Sequence, residues 1–234
     1  MTFTFGRVAI QFPDALARLV SYAREVDGGF DTFDLAGVQA RNQHILTEVG
    51  PWTPLLSTTF GGDPLDGHVT RSFIQVSATF ADLIREIPDI DLHLLADVDH
   101  ARLAALCQFG VEGFRADRVT AVAHLYRPKA VPVLDRSVVS TYGHHPDLLS
   151  PATVARTVEQ LTADITTHHV RLRRLHQRAA EFAPDLEHVS LVRVVGILIW
   201  TTHQDTVVRQ VPYWSAARPN PVPSRLDSCG WFKV

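Results

Sequence analysis

One run of residues constrains the fold more than any other. From Ser150-Pro151 onward, Val154, Val158, Leu161, Ile165, Leu172, Leu175, Ala179 and Phe182 recur at three- and four-residue spacing until Ala183-Pro184 stops them. Serine is a good N-cap, and proline is tolerated at the first helical position because its missing N–H has no partner there anyway. The spacing predicts one long amphipathic helix, whose apolar stripe has to be covered along its whole length. His168 falls where the stripe skips a beat, as expected of a histidine packed at the edge of a core rather than of a ligand.

The same period recurs elsewhere. Pro13-Asp14 opens a segment with Leu16, Leu19, Val20, Ala23 and Val26 on one face, ended by Gly28-Gly29. Phe73, Val76, Phe80, Leu83, Ile84 and Ile87 form a second stripe before Pro88. Asp97 or Asp99 can cap a helix carrying Leu103 and Leu106 that stops near Gly110. The apolar run from Val189 to Trp200 has enough β-branched residues for a strand, but its length among helices favours a central helix. Two stretches break the pattern. Asn42 to Arg71, with Gly50-Pro51, Gly61-Gly62, Pro64 and Gly67, reads as a long irregular insertion, and Pro212, Pro219, Pro221 and Pro223 make an extended tail of the chain from Thr202. The expected fold is therefore mainly α, a single helical domain over residues 1–201 with a tail at 202–234.

With 46% hydrophobic and 20% charged residues in 234, the chain has the makeup of a globular domain with a real core. Cys107 and Cys229 alone give neither a disulfide framework nor a zinc site. No signal-peptide pattern opens the chain, and its longest apolar run, Val194 to Trp200, is far short of the ~20 residues a membrane helix needs. A cytoplasmic protein without a membrane partner is expected. A formal charge of −3 carries no global signature of nucleic-acid binding. The adjacent pairs His144-His145 and His168-His169 point about 100° apart on a helix and lack metal-ligand spacing. No phosphate-binding loop, dinucleotide fingerprint or serine elbow occurs, so neither metal nor cofactor is expected.

Candidate chemistry concentrates between Phe109 and Val139. Gly110-Val111-Glu112-Gly113 leads into a helix through Ala121-Val122-Ala123; after the Arg127-Pro128 break, Val131-Pro132-Val133-Leu134 delivers Asp135 to the start of another helix. A carboxylate there is either a structural cap or a placed catalytic group. In this order the residues resemble the signature region of helix-hairpin-helix DNA glycosylases. The resemblance implies a helix-hairpin-helix-like segment in which Gly110 and Gly113 let backbone N–H groups meet a phosphate, with Arg115 beside them, and Asp135 lies next to a flipped nucleotide. It also implies that the hairpin position of a lyase lysine is filled here by Phe114, Arg115 and Asp117, so base removal would be monofunctional. Glu112 sits inside the hairpin, and Arg136 after the aspartate could pair with it. The Pro-to-aspartate segment is also similar to an uncharacterised bacterial family of mostly helical proteins, which implies no activity.

Two further features bear on this. Arg171, Arg174 and Arg178 line one helix face, as a phosphate track on DNA or as a plain solvated surface. Asp31-Thr32-Phe33-Asp34 could line a pocket near Asp135 if the first helix packs there, or could be a capped turn. The expected function is a diverged glycosylase-like hydrolase of a base N-glycosidic bond, with DNA as partner; the alternative is a non-enzymatic helical binding or interaction domain.

Overall fold

The computed structural model describes residues 1–24, 34, 67–107, 109, 116–145 and 150–210; side chains at 67–74, 76, 151 and 205–210 lie outside that description. Its elements in chain order are strands β1 (Thr2–Phe5) and β2 (Val8–Gln11), helices α1 (Phe12–Arg24) and α2 (Gly67–Glu86), a 3-10 turn at Leu92–Leu94, α3 (Asp97–Cys107), α4 (Ala116–Tyr126), α5 (Arg136–Thr141), α6 (Pro151–Phe182), a second 3-10 turn at Pro184–His188, and α7 (Leu191–Gln210). The fold is mainly α, as the periodicity indicates.

The long helix α6 is the spine. Ser150 caps it, its hydroxyl accepting from the Thr153 N–H at 3.2 Å. The expected stripe is buried from Val154 to Ala179. Phe182 departs from it: the ring is exposed, with the Arg178 guanidinium 5.0 Å above its centre. Against the spine pack α1, α3, α7, both 3-10 turns and β1. Helix α7 carries Val194, Val195, Ile197, Leu198 and Ile199 into the interior and also meets α1 and α5. The Val189–Trp200 run is thus central and helical.

Several boundaries differ from the sequence expectation. Helix α7 continues past Thr202 to Gln210. Thr201 and Thr202 fold their hydroxyls back onto the carbonyls of Ile197 and Leu198 at 2.9 and 2.7 Å, and the first downstream proline is Pro212, so nothing breaks the helix at 202. Helix α2 begins at Gly67, within the span expected to be irregular, because no proline follows Pro64 until Pro88. In α1 the buried positions are Ala15, Leu19 and Tyr22, with Leu16, Val20 and Ala23 at their margin. Val26 and the Gly28-Gly29 stop lie outside the described residues.

The N-terminal hairpin adds strand to a chain read as helical. Thr2-Phe3-Thr4-Phe5 alternates, so Phe3 and Phe5 enter the core while Thr2 and Thr4 face out. Gly6 takes φ 51° in the two-residue loop, and a Cβ there would lie 2.6 Å from the Thr141 carbonyl oxygen. Glycine is therefore required by both conformation and space. The outer edge of β1 is closed by side chains of α6. The Thr4 N–H donates to His168 Nε2 at 3.2 Å, and the Gly6 N–H donates to Asp164 Oδ2 at 2.8 Å. Phe3 and Phe5 each meet the His168 ring edge-on at 5.8 Å, which makes His168 the packed core-edge residue its place in the stripe implies.

Candidate functional site

Asp135 is delivered by a short extended segment that α4 holds in place. His124 Nδ1 bonds the Val131 carbonyl at 2.7 Å, and the Thr120 hydroxyl accepts from the Leu134 N–H at 3.0 Å while donating to the Ala116 carbonyl at 2.8 Å. Both side chains are buried. A buried polar group persists when its bonds are made, and here the bonds fix the backbone immediately before Asp135. The carboxylate then caps α5, Oδ1 accepting from the Val138 N–H at 2.8 Å.

Protein surrounds Asp135 densely, yet the residue is only half-buried and part of it reaches solvent. Burial raises its pKa above the usual carboxylate value; the cap bonds from Val138 and Ser137 and the positive charge of Arg193, with His203 behind it, oppose that rise. Arg136 is exposed; Arg193 and His203, whose positive charges act on Asp135, both come from α7. His203 is anchored by a 2.9 Å contact between its Nε2 and the Thr141 hydroxyl at the far end of α5.

Arg193 is the centre of a buried polar cluster. Its Nε donates to Asp34 Oδ1 at 2.7 Å, one Nη2 bond goes to Asp34 Oδ2 at 3.0 Å, and another goes to the Tyr22 hydroxyl at 2.9 Å. Tyr22 in turn donates to Asp34 Oδ2 at 2.8 Å. The fork of donors matches the carboxylate in the bidentate manner arginine favours. Burial works against the guanidinium's charge, but Asp34, Tyr22 and Asp135 outweigh it and hold the proton more firmly than usual. Burial likewise pushes the Tyr22 hydroxyl up. Trp200 meets the Tyr22 ring edge-on at 5.9 Å, giving the cluster an aromatic side.

A family model described as a family of unknown function, DUF6308, matches residues 29–203. The chain belongs to that family. The matched span of this DUF6308 member takes in Asp34, Asp135, Arg193 and His203 and leaves Tyr22 and the N-terminal hairpin outside. No curated protein and no solved structure matches the chain.

The residues singled out in the sequence fall into three groups. Asp34, from the acidic-aromatic cluster, is paired with Arg193, whose charge Asp135 also acts on, while Asp31, Thr32 and Phe33 lie outside the described residues. Arg171, Arg174 and Arg178 are exposed on α6, about 100° around the helix from the buried Leu172, Leu175 and Ala179, and Arg178 pairs with Glu181. The structure does not gather them around Asp135. Gly110, Gly113 and Arg115 lie outside the described residues, between α3 and α4. Among the described residues no group of histidine, cysteine or acidic side chains could hold a metal ion, and no helix is long and apolar enough to cross a membrane. Sequence reasoning missed Arg193, Tyr22, His203, Thr120 and His124. Arg193 carried a usable signal, since a lone charge inside an apolar helix has to find a partner.

Proposed function

We propose that this DUF6308 protein is a monofunctional glycosylase-like hydrolase that releases a base from its sugar, with Asp135 as the working carboxylate. The observation that carries the reading is the state of Asp135: held by cap bonds, acted on by the positive charges of Arg193 and His203, and only half-buried as a residue. N-glycosidic hydrolysis passes through a sugar with oxocarbenium character, which a nearby ionised carboxylate stabilises while orienting the attacking water. Arg171, Arg174 and Arg178 are the proposed phosphate contacts, exposed on α6.

The test is base release from duplex and single-stranded oligonucleotides carrying uracil, alkylated or oxidised bases, comparing the native chain with Asp135→Asn. Asparagine keeps a capping oxygen and removes the charge, so the folded state survives while release is abolished. Equal release by both proteins would refute the assignment. DNA binding measured at low and raised salt completes the test, because phosphate contacts weaken steeply with salt.

A second reading is favoured by the 2.8 Å cap bond itself: Asp135 as a structural cap in a non-enzymatic helical binding domain. Under it, no base release is found with any substrate, and Asp135→Asn changes nothing but stability.

A further inference from the structure

The connection between α2 and α3 has an inner side and an outer side. Leu92 and Leu95 are buried, whereas Ile90, Leu94 and Val98 are 41%, 59% and 57% exposed. Scattered surface hydrophobics need no explanation, but a group of them marks a contact surface. This group extends onto α6. The Leu92–Leu94 turn packs against that helix, Arg173 Nη2 lies 3.0 Å from Asp91 Oδ2, and the His93 ring stacks on His169 at 5.3 Å. Leu94 follows His93 and Val170 follows His169, and Val170 is itself 52% exposed. The stacked histidines thus join the connection to the helix, with the exposed Leu94 and Val170 each next to one of them in the chain.

The two ends of this face carry opposite charge. On the connection, Asp89 and Asp97 are exposed; Asp89 takes a backbone N–H from Lys129, while Arg102 and Arg173 already answer Asp99 and Asp91 within the chain. On the helix, Arg171 and Arg174 are exposed, and Arg174 stands one turn beyond Val170 on the same side. An apolar centre with an acidic end and a basic end is complementary to itself. A two-fold rotation about an axis through the histidine seam lays the acidic end of one copy on the basic end of the other. It also buries the apolar residues of both copies at the middle, with charges at the rim, the usual anatomy of a protein contact.

We propose that this face is an isologous contact between two copies of the chain, with Ile90, Leu94, Val98 and Val170 at its centre. The inference rests on nothing about Asp135 and stands whether or not a base is released. It gives Arg171 and Arg174 a second use, so a phosphate backbone that binds them competes with the dimer.

Sedimentation velocity on the full chain over rising concentration is the test, with circular dichroism to check that each variant keeps its helix content. The native chain shows a monomer–dimer equilibrium that raised salt weakens, and Leu94→Lys is monomeric. An acid-reversed variant, Asp89→Lys with Asp97→Lys, and a base-reversed variant, Arg171→Glu with Arg174→Glu, are each monomeric alone and form a heterodimer when mixed. A native chain that stays monomeric throughout overturns the proposal. So do charge-reversed variants that dimerise alone as well as the native chain does, or that fail to associate on mixing.

Discussion

Arg193 and Asp34 are 159 positions apart in the chain and meet inside the core, Nε to Oδ1 at 2.7 Å. With the Tyr22 hydroxyl bonded to both partners, the pair ties α1, α7 and the residue at position 34 into one polar knot within an apolar interior.

Breaking one half of such a pair leaves a buried charge without its counterion, which costs about 3–5 kcal/mol. Asp34→Ala and Arg193→Ala each lose about that much in urea unfolding, and Arg193→Lys recovers only part because lysine lacks the planar fork. The double variant Asp34→Leu, Arg193→Met is more stable than either single alanine change. Additive losses across this set would show that the two residues act independently.

Asp135→Ala removes the cap of α5 and lowers stability by about 1 kcal/mol; Asp135→Asn keeps an acceptor and loses less. The sign of its pH dependence follows from burial, which raises the folded pKa above 3.8. The folded state then binds the proton more tightly than the unfolded chain, so this residue's contribution is fully present below 3.8 and is lost as pH rises through the folded value. Comparing unfolding free energies of native and Asp135→Asn proteins from acid to neutral pH checks it: the asparagine variant lacks that decline.

His168 accepts from the outer edge of β1. His168→Phe fits between Phe3 and Phe5 but leaves the Thr4 N–H without its acceptor, at a cost of about 1–3 kcal/mol. Amide exchange at Thr4 rises in that variant, while amides in the middle of α6 keep their protection relative to global stability.

Burial lowers the pKa of His93 below 6.5, with the neighbouring His169 and Arg173 adding to the effect and Asp91 opposing it. As pH falls, the unfolded chain takes up this proton first, so stability declines below 6.5 and levels off once the folded imidazole has protonated. Urea midpoints measured between about pH 7.5 and 5 show the decline, and His93→Phe flattens that part of the curve.

Helices α1, α2 and α6 were legible because each buries one stripe of helical period. The hairpin was also written in the chain, in the alternation from Thr2 to Phe5 and the Gly6-Arg7 loop, but four-residue strands carry little periodicity beside a strong helix signal. Asp135 could be found because proline, an extended run and a cap residue are local signals. Its partners on α7 could not, since that helix is apolar nearly all round and has no face to indicate where Arg193 and His203 point. Pairing across 159 positions depends on how α1, α5 and α7 dock, and no local pattern encodes that.

The Tyr22–Asp34–Arg193 knot also governs how this family can drift. An arginine without its aspartate is worse than neither, so a lineage that alters one position passes through a weakened ancestor unless the other changes with it. The Asp34 and Arg193 positions should accordingly be inherited as a set, kept together or exchanged together for apolar residues, and Tyr22 should follow them although it lies outside the matched family span.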